Sequence, residues 1–265
     1  FNGATVAIGG FGLGGIPETL VTAVSENDSA QDMTIVSLTA GTDDQGTGKI
    51  LASGKVRRLV AAYVGENKFL EESYFGGKLQ VALTPMGTIA ERLRAAGAGI
   101  PAFYTPTGVG TIYANGGIPL QFKNDGSHEV EIQSDARETR IFDGIEYVME
   151  HALKPDVSIV KAAVADTRGN LVFSGTAQNS NPDCAMAGKI CLAEAETIVP
   201  AGELGPDVIH LPGVFVHKVI EATENAKHIE RLKLQSPSED GGVVKGPRAR
   251  IAKRAAKEFK DGMYV

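Results

Sequence analysis

Val6-Ala7-Ile8-Gly9-Gly10-Phe11-Gly12-Leu13-Gly14-Gly15-Ile16-Pro17-Glu18 is the stretch on which the reading of the whole chain turns. A short apolar run, Thr5 to Ile8, reads as a strand and enters a turn, Gly9 to Gly15, in which five of seven residues are glycine. Pro17 then opens a helix, since a first helical residue needs no N–H. Ile16, Leu20 and Val24, with Val21 beside them, recur on one helical face. Glycines between strand and helix permit unusual dihedrals and close backbone approach to a ligand. The helix N-terminus offers unpaired N–H groups and partial positive charge to an anion or a developing oxyanion.

Gly10-Phe11-Gly12-Leu13-Gly14-Gly15 also fits the dinucleotide pattern G-x-G-x-x-G. That fingerprint requires an acid closing the second strand to hold a ribose hydroxyl. The second strand, Met33 to Ser37, runs on into Leu38 and Thr39, and no acid appears before Asp43 and Asp44. The reading therefore turns away from a nicotinamide cofactor. A tight turn alone would explain any single glycine, but explains five in seven poorly.

The 265 residues suit one large domain or two modest ones, and 43% hydrophobic with 22% charged residues is ordinary for a globular protein. The net charge of −6 argues against a nucleic-acid partner, which needs a basic face. No apolar run approaches the roughly 20 residues of a membrane span. The two cysteines, Cys184 and Cys191, form no C-x-x-C or Cys/His cluster, so no metal site is expected, and reduced thiols fit an intracellular compartment.

Residues 1 to about 100 alternate as strand 5–9, helix 17–26, strand 33–37, helix 49–53, strand 58–64, helix 67–76, strand 79–83 and helix 88–96. That alternation implies an α/β fold with a mostly parallel sheet and helices on both faces. Residues 101–147, rich in Pro, Gly, Tyr and Phe, read as a β-rich flap insertion, either decorative or a lid. The α/β pattern resumes with helix 145–153, strands 157–164 and 171–173, helix 184–188, and strands 190–199 and 208–211. Residues 236–247 are polar and Gly-rich and read as a linker. Residues 248–260 read as a basic helix with Ile251, Ala255 and Phe259 on one face.

The string G-G-F-G-L-x-G-I-P-E is more specific than the dinucleotide pattern. It resembles the signature of the α half of family I CoA transferases, above all the succinyl-CoA:3-ketoacid and acetate:succinate types. Tyr63-Val64-Gly65-Glu66-Asn67, Leu83-Thr84-Pro85 with Gly87-Thr88, the run Gly97 to Gly108, Arg250 to Ala256 and Asp261-Gly262-Met263-Tyr264 carry the likeness across essentially the whole chain. It implies a CoA-transferase α-type domain over 1–235, the linker 236–247, and the start of a β-type domain over 248–265. Asp261-Gly262-Met263-Tyr264-Val265 echoes Asn2-Gly3-Ala4-Thr5-Val6, as expected if the β half repeats the α half.

The resemblance implies ping-pong transfer of CoA from an acyl-CoA, such as succinyl-CoA, to a short-chain carboxylic acid, acetoacetate or acetate. The intermediate would be a glutamyl-CoA thioester whose glutamate lies in a Ser-Glu-Asn-Gly motif of the β half. No catalytic residue is then expected in this chain. Ser25-Glu26-Asn27 mimics the motif, but Asp28 follows and the tripeptide ends a helix, so Glu26 reads as a surface residue. No cofactor is implied, CoA being a substrate. The β half would come in the same chain or as a separate subunit, with a homo-oligomer and a mitochondrial matrix location, any presequence having been removed or cropped. A non-catalytic CoA- or acid-binding module with the same fold is the alternative.

The pocket implied for the α half comprises Gly9, Gly10, Phe11, Gly12, Leu13, Gly14 and Gly15 with Leu38, Thr39, Ala40, Gly41 and Met86. The family's Ser-Asn-Asn-x-Gly stands here as Ser37-Leu38-Thr39-Ala40-Gly41, and its Thr-Pro-Gln-Gly-Thr as Thr84-Pro85-Met86-Gly87-Thr88. Two polar positions have become apolar and one Asn has become Thr39, which points to a smaller or less polar acceptor such as acetate. His210 and His217 alternate with apolar residues and read as structural. Lys161 reads as a strand lysine reaching solvent, and Glu66 as a pocket or ion-pair residue.

Overall fold

Short apolar runs buried on both faces pair best as central parallel strands covered by helices. The computed structural model, which describes residues 2–226, 246–261 and 263, has that arrangement. In chain order the elements are β1 (Thr5–Ile8), α1 (Glu18–Glu26), β2 (Met33–Val36), α2 (Thr47–Ala52), β3 (Val56–Ala61), α3 (Lys68–Phe75), β4 (Gln80–Leu83) and α4 (Met86–Gly97). Then come β5 (Ala102–Thr105), α5 (Ile112–Asn115), β6 (Pro119–Phe122), β7 (Val130–Gln133), β8 (Thr139–Phe142) and β9 (Ile145–His151). The chain continues through β10 (Val157–Asp166), β11 (Leu171–Val172), α6 (Asn181–Ala187), β12 (Ile190–Val199), β13 (Lys218–Glu221) and α7 (Pro247–Ala255).

The main sheet has the order β13-β12-β10-β1-β2-β3-β4, all neighbours parallel, with β11 antiparallel on β10. Alternate strand residues point to opposite faces. Ile8, Ile35, Leu59 and Ile159 meet Leu20, Val21, Ile50, Leu51 and Leu70 of α1–α3 on one face. Ala7, Val36, Val60 and Val160 meet Ile89 and Leu93 of α4 and Cys184 and Ala185 of α6 on the other. The expected α/β fold is therefore present, as are the extra antiparallel strands of the insertion: β5-β9-β8 form one small sheet and β6-β7 another.

Two expected elements take another form, and one strand has no counterpart among the expectations. Residues 145–153, expected as a helix, form β9 (Ile145–His151), the middle strand between β5 and β8. Glu146 and Glu150 mimic a helical face, but two flanking strands satisfy the backbone better. The strand expected at 208–211 reduces to a single bridge, Leu171 to Leu211, because Pro206 opens a 3₁₀ turn and Pro212 removes a donor. The edge strand β13 was not anticipated; four residues with Lys218 and Glu221 at its ends carry little pattern.

Pro17 is the residue preceding α1 rather than its first helical residue. Residues 1–230 form one compact unit and 231–265 another. In the second, α7 ends at Ala255 and a 3₁₀ turn spans Ala256–Glu258, so Phe259 falls off the helix on which it was expected. Most of the expected linker lies outside the described residues.

Candidate functional site

The chain steps from β1 through β2 and β3 to β4 on one side, then returns to place β10, β12 and β13 on the other. The direction reverses between β1 and β10, and in open parallel sheets the crevice beyond the carboxyl ends at such a switch point is where ligands bind. The glycine-rich turn leaves β1 there. The Gly9 N–H donates to the Ile159 carbonyl at 2.9 Å, extending the pairing. Phe11 and Gly14 then exchange N–H···O bonds of 3.0 and 2.9 Å, with Gly12 and Leu13 at the tip of a small hairpin.

Gly9 and Gly15 are explained by what presses on them. A Cβ on Gly9 would lie 2.0 Å from Asn181 Oδ1; one on Gly15, already at φ +70°, would lie 2.4 Å from the Ala177 carbonyl oxygen. Asn181, fully buried at the start of α6, accepts the Lys161 N–H on Oδ1 (2.9 Å) and donates from Nδ2 to Gly15 O (3.0 Å) and Ala177 O (2.9 Å). Ser180 Oγ donates to Gly10 O, and Asn179 Nδ2 to Gly14 O. The turn is clamped by residues 177–181, a partner its own sequence does not announce.

A cavity of about 280 Å³ opens beside the turn, bordered by Leu13, Gly14 and Gly15, by Lys161 of β10 and by the segments around Phe173 and Asn225. Lys161 does not reach solvent as expected. It is 8% exposed, and its Nζ lies 2.7 Å from Glu194 Oε1 and donates to Asn225 Oδ1 at 2.7 Å. Glu194, fully buried on β12, accepts the Leu20 N–H on Oε2 at 3.1 Å. One of the free donors expected at the N-terminus of α1 is thus already taken by a protein carboxylate. Glu18 accepts the Gly46 N–H (3.1 Å) and pairs with Lys49 (3.3 Å), which also pairs with Glu224 (3.1 Å). Burial disfavours the Lys49 charge, but Glu224 and Glu18 outweigh it and hold its pKa above the ordinary value.

The second group of expected pocket residues leaves β2 on the same carboxyl edge. The Ala62 N–H donates to Leu38 O, the Ala40 N–H donates to Tyr63 O, and Thr39 Oγ1 reaches Gly12 O at 3.4 Å, joining the two segments. Their side chains turn inward: Leu38 is 6% exposed, Thr39 2%, and Ala40 is fully buried. Gly41 takes φ +68° to let Gln45 O approach. Asn67 caps α3 by accepting the Leu70 N–H and donates to Ala40 O and Thr42 O, which gives the Tyr63–Asn67 motif a structural task. Met86, 37% exposed, opens α4 at the end of β4, three strands from β1. Of the expected pocket residues, Leu13, Gly14 and Gly15 border the 280 Å³ cavity, and Gly9, Gly10, Phe11, Gly12, Leu38, Thr39, Ala40, Gly41 and Met86 do not.

Other residues fall where the sequence reading put them. Glu26 is the exposed last residue of α1. His210 Nδ1 accepts the Phe173 N–H (2.9 Å) and His217 Nδ1 the Cys191 N–H (3.0 Å), so both pin backbone. Burial pushes the Cys184 thiol up to about 12 and the Cys191 thiol up to about 11, which suits neither as a nucleophile. The reading missed Glu194 and Asn181. Glu194 is marked in the sequence only as a charge within the apolar run Ile190–Val199, and Asn181, in the polar run Gln178-Asn179-Ser180-Asn181, carries no such mark.

The model of the coenzyme A transferase family matches residues 1–222. The rat mitochondrial succinyl-CoA:3-ketoacid coenzyme A transferase 2A is 46% identical over 266 residues, covering all of this chain and 51% of the relative. One subunit of a probable succinyl-CoA:3-ketoacid coenzyme A transferase from Mycobacterium tuberculosis (strain ATCC 25618 / H37Rv) is 49% identical over 230 residues, covering 87% of this chain and 92% of that relative. The chain thus spans about half the length of the mitochondrial relatives, matching their N-terminal half, and most of the bacterial one. An acyl-CoA transferase apoenzyme from Escherichia coli O157:H7 shares the fold with a TM-score of 0.74 at 21% identity, covering 98% of this chain and 52% of that one. Glutaconate coenzyme A-transferase from Acidaminococcus fermentans does so with a TM-score of 0.69 at 20% identity, covering 82% and 70%. With this sheet order, this turn and a family match over most of its length, the chain belongs to the coenzyme A transferases, an enzyme family.

Proposed function

We propose that this chain is the α half of a CoA transferase that moves CoA from succinyl-CoA to a short-chain 3-keto acid. The observation that carries this is the 46% identity to a succinyl-CoA:3-ketoacid relative along the whole chain, glycine-rich turn included. The β half, in the same polypeptide or on a second one, supplies a glutamate. Its carboxylate attacks the acyl-CoA carbonyl and expels CoA thiolate, leaving a mixed anhydride. The thiolate attacks the glutamyl carbonyl, forming glutamyl-CoA and releasing the donor acid; the acceptor acid then reverses both steps. The Gly9–Gly15 turn contributes backbone surface at the switch-point crevice, where donors aimed at a developing oxyanion count most. The mammalian relatives are named mitochondrial, which supports a mitochondrial location for this chain; the matrix is part of the proposal. A homo-oligomer is part of the same proposal.

Acetoacetate is favoured over acetate as acceptor. A smaller acceptor would require Leu38 and Thr39 to line its pocket, and both side chains are buried. Only Met86 remains as an exposed apolar replacement. The test is succinyl-CoA-dependent acyl-CoA formation by the intact protein with each acid. Acetoacetate is expected to give the larger kcat/KM; a clear excess with acetate would restore the smaller-acceptor reading. Failure to form a covalent CoA adduct with succinyl-CoA, followed by intact mass, would overturn the transferase proposal itself.

A further inference from the structure

A second cavity, about 890 Å³, lies on the α4/α6 face of the sheet, between the sheet and the insertion. Its floor is formed by Thr34, Arg58 and Gln80 near the amino ends of β2, β3 and β4, the edge opposite the glycine-rich turn. Arg92 of α4 reaches into it, and Arg137 and Glu150 form part of its far wall.

Arg58 is the unusual member. Its Nε is shut off from solvent and has no hydrogen-bond partner among the described residues. Burial lowers its pKa, and the charges felt beside it, Arg57 and Arg92, are both positive. The carboxylate in the wall is committed elsewhere. Glu150 Oε1 accepts from Tyr113 Oη at 2.6 Å and from Arg137 Nε at 2.9 Å, while Oε2 lies 3.6 Å from Arg92 Nε. Arg92 Nε itself donates to the His151 carbonyl at 2.7 Å. Asp135 and Glu138 are exposed on the outer wall, and Glu138 accepts from Tyr104 Oη. Arg58 as a whole is half-buried, and a guanidinium that has lost part of its water without gaining an anion is costly; its planar fork fits the two oxygens of a carboxylate or phosphate group.

We propose that Arg58 and Arg92, with the Thr34 hydroxyl and the Gln80 amide, form a binding site for a small oxyanion, a phosphate or carboxylate group, at the strand edge opposite the glycine-rich turn. The site is separate from the proposed transfer chemistry and stands or falls independently of it. Both groups carry the same paired-oxygen chemistry, so the probes are inorganic phosphate and malonate, each titrated into the intact protein with chloride matching the ionic strength.

Calorimetry should show saturable binding of at least one probe, weakened tenfold or more by Arg58→Gln. Malonate binding that Arg58→Gln leaves unchanged belongs elsewhere and does not support the site. Melting provides an independent readout. In chloride alone, Arg58→Gln should melt no lower than wild type, because it removes a half-buried positive charge whose Nε has no partner among the described residues and whose charged neighbours, Arg57 and Arg92, are also positive. With saturating anion the order should reverse. Phosphate alone, malonate alone or both identify the group and support the site. No saturable binding of either, equal binding by Arg58→Gln, or a lower melting temperature of the variant in chloride overturns it.

Discussion

Asn181 illustrates how a single side chain holds the glycine-rich turn in place. Its amide serves three backbone groups, on β10, on the turn and on the 3₁₀ segment before α6, with no exposure to water. Asn181→Ala leaves the Lys161 N–H and two carbonyls short of partners, and buried unsatisfied groups cost about 1–3 kcal/mol each. The expected loss in urea denaturation is about 2–4 kcal/mol, with the m-value unchanged. A loss under half a kilocalorie would mean that water replaces the amide. At this scale the glycine-rich turn, Glu26 and the two histidines were legible from local pattern, but what presses on Gly9 and Gly15 was not, because residues 177–181 are far away in the chain. Lys161 was not. Its strand register is local, but the carboxylate it meets is supplied by β12, whose pairing with β10 is long-range.

Among elements, the Lys161–Glu194 pair joins β10 to β12 while Glu194 also receives the first turn of α1. Removing one partner of a buried pair strands the other charge, at about 3–5 kcal/mol. Lys161→Met should therefore destabilise by that amount, and Lys161→Met combined with Glu194→Gln should recover most of it, since a neutral amide still accepts the Leu20 N–H. Chemical denaturation of the two variants checks this; a double variant as weak as the single one would refute the account. β9 shows where pattern reading stops. Its seven residues suit a helix by spacing, and only strands on both sides make the extended form win. The short strand β13 is the converse case, an element that exists because β12 offers it an edge.

Across the whole molecule, the sheet begins where Asp156 receives the Thr5 N–H (3.0 Å) and pairs with Lys189 (2.8 Å), tying the starts of β1, β10 and β12. The Lys189 hydrogen bond, with the Thr5 N–H, holds the Asp156 carboxyl below the usual carboxylate range. A carboxylate whose folded pKa is depressed adds stability that is complete above its unfolded pKa, about 3.9, and is lost as pH falls through the folded value. Asp156→Asn should thus be less stable than wild type at pH 7, and the two stability curves should converge as the pH drops below about 4. Parallel curves over the acid range would show that Asp156 does not carry this dependence.

The sequence by itself determined the α/β class, the parallel core, the glycine-rich turn after the first strand and the family likeness. These rest on local periodicity, backbone sterics and a motif, all of which are written in contiguous residues. Only the tertiary structure decided what the turn packs against, which expected pocket residues face inward, and where unpaired charge remains. Asn181, Glu194 and Arg58 gain their meaning from neighbours far away in the chain. Burial is a property of the folded assembly: whether a polar group is matched or orphaned is settled only when distant strands and helices enclose it.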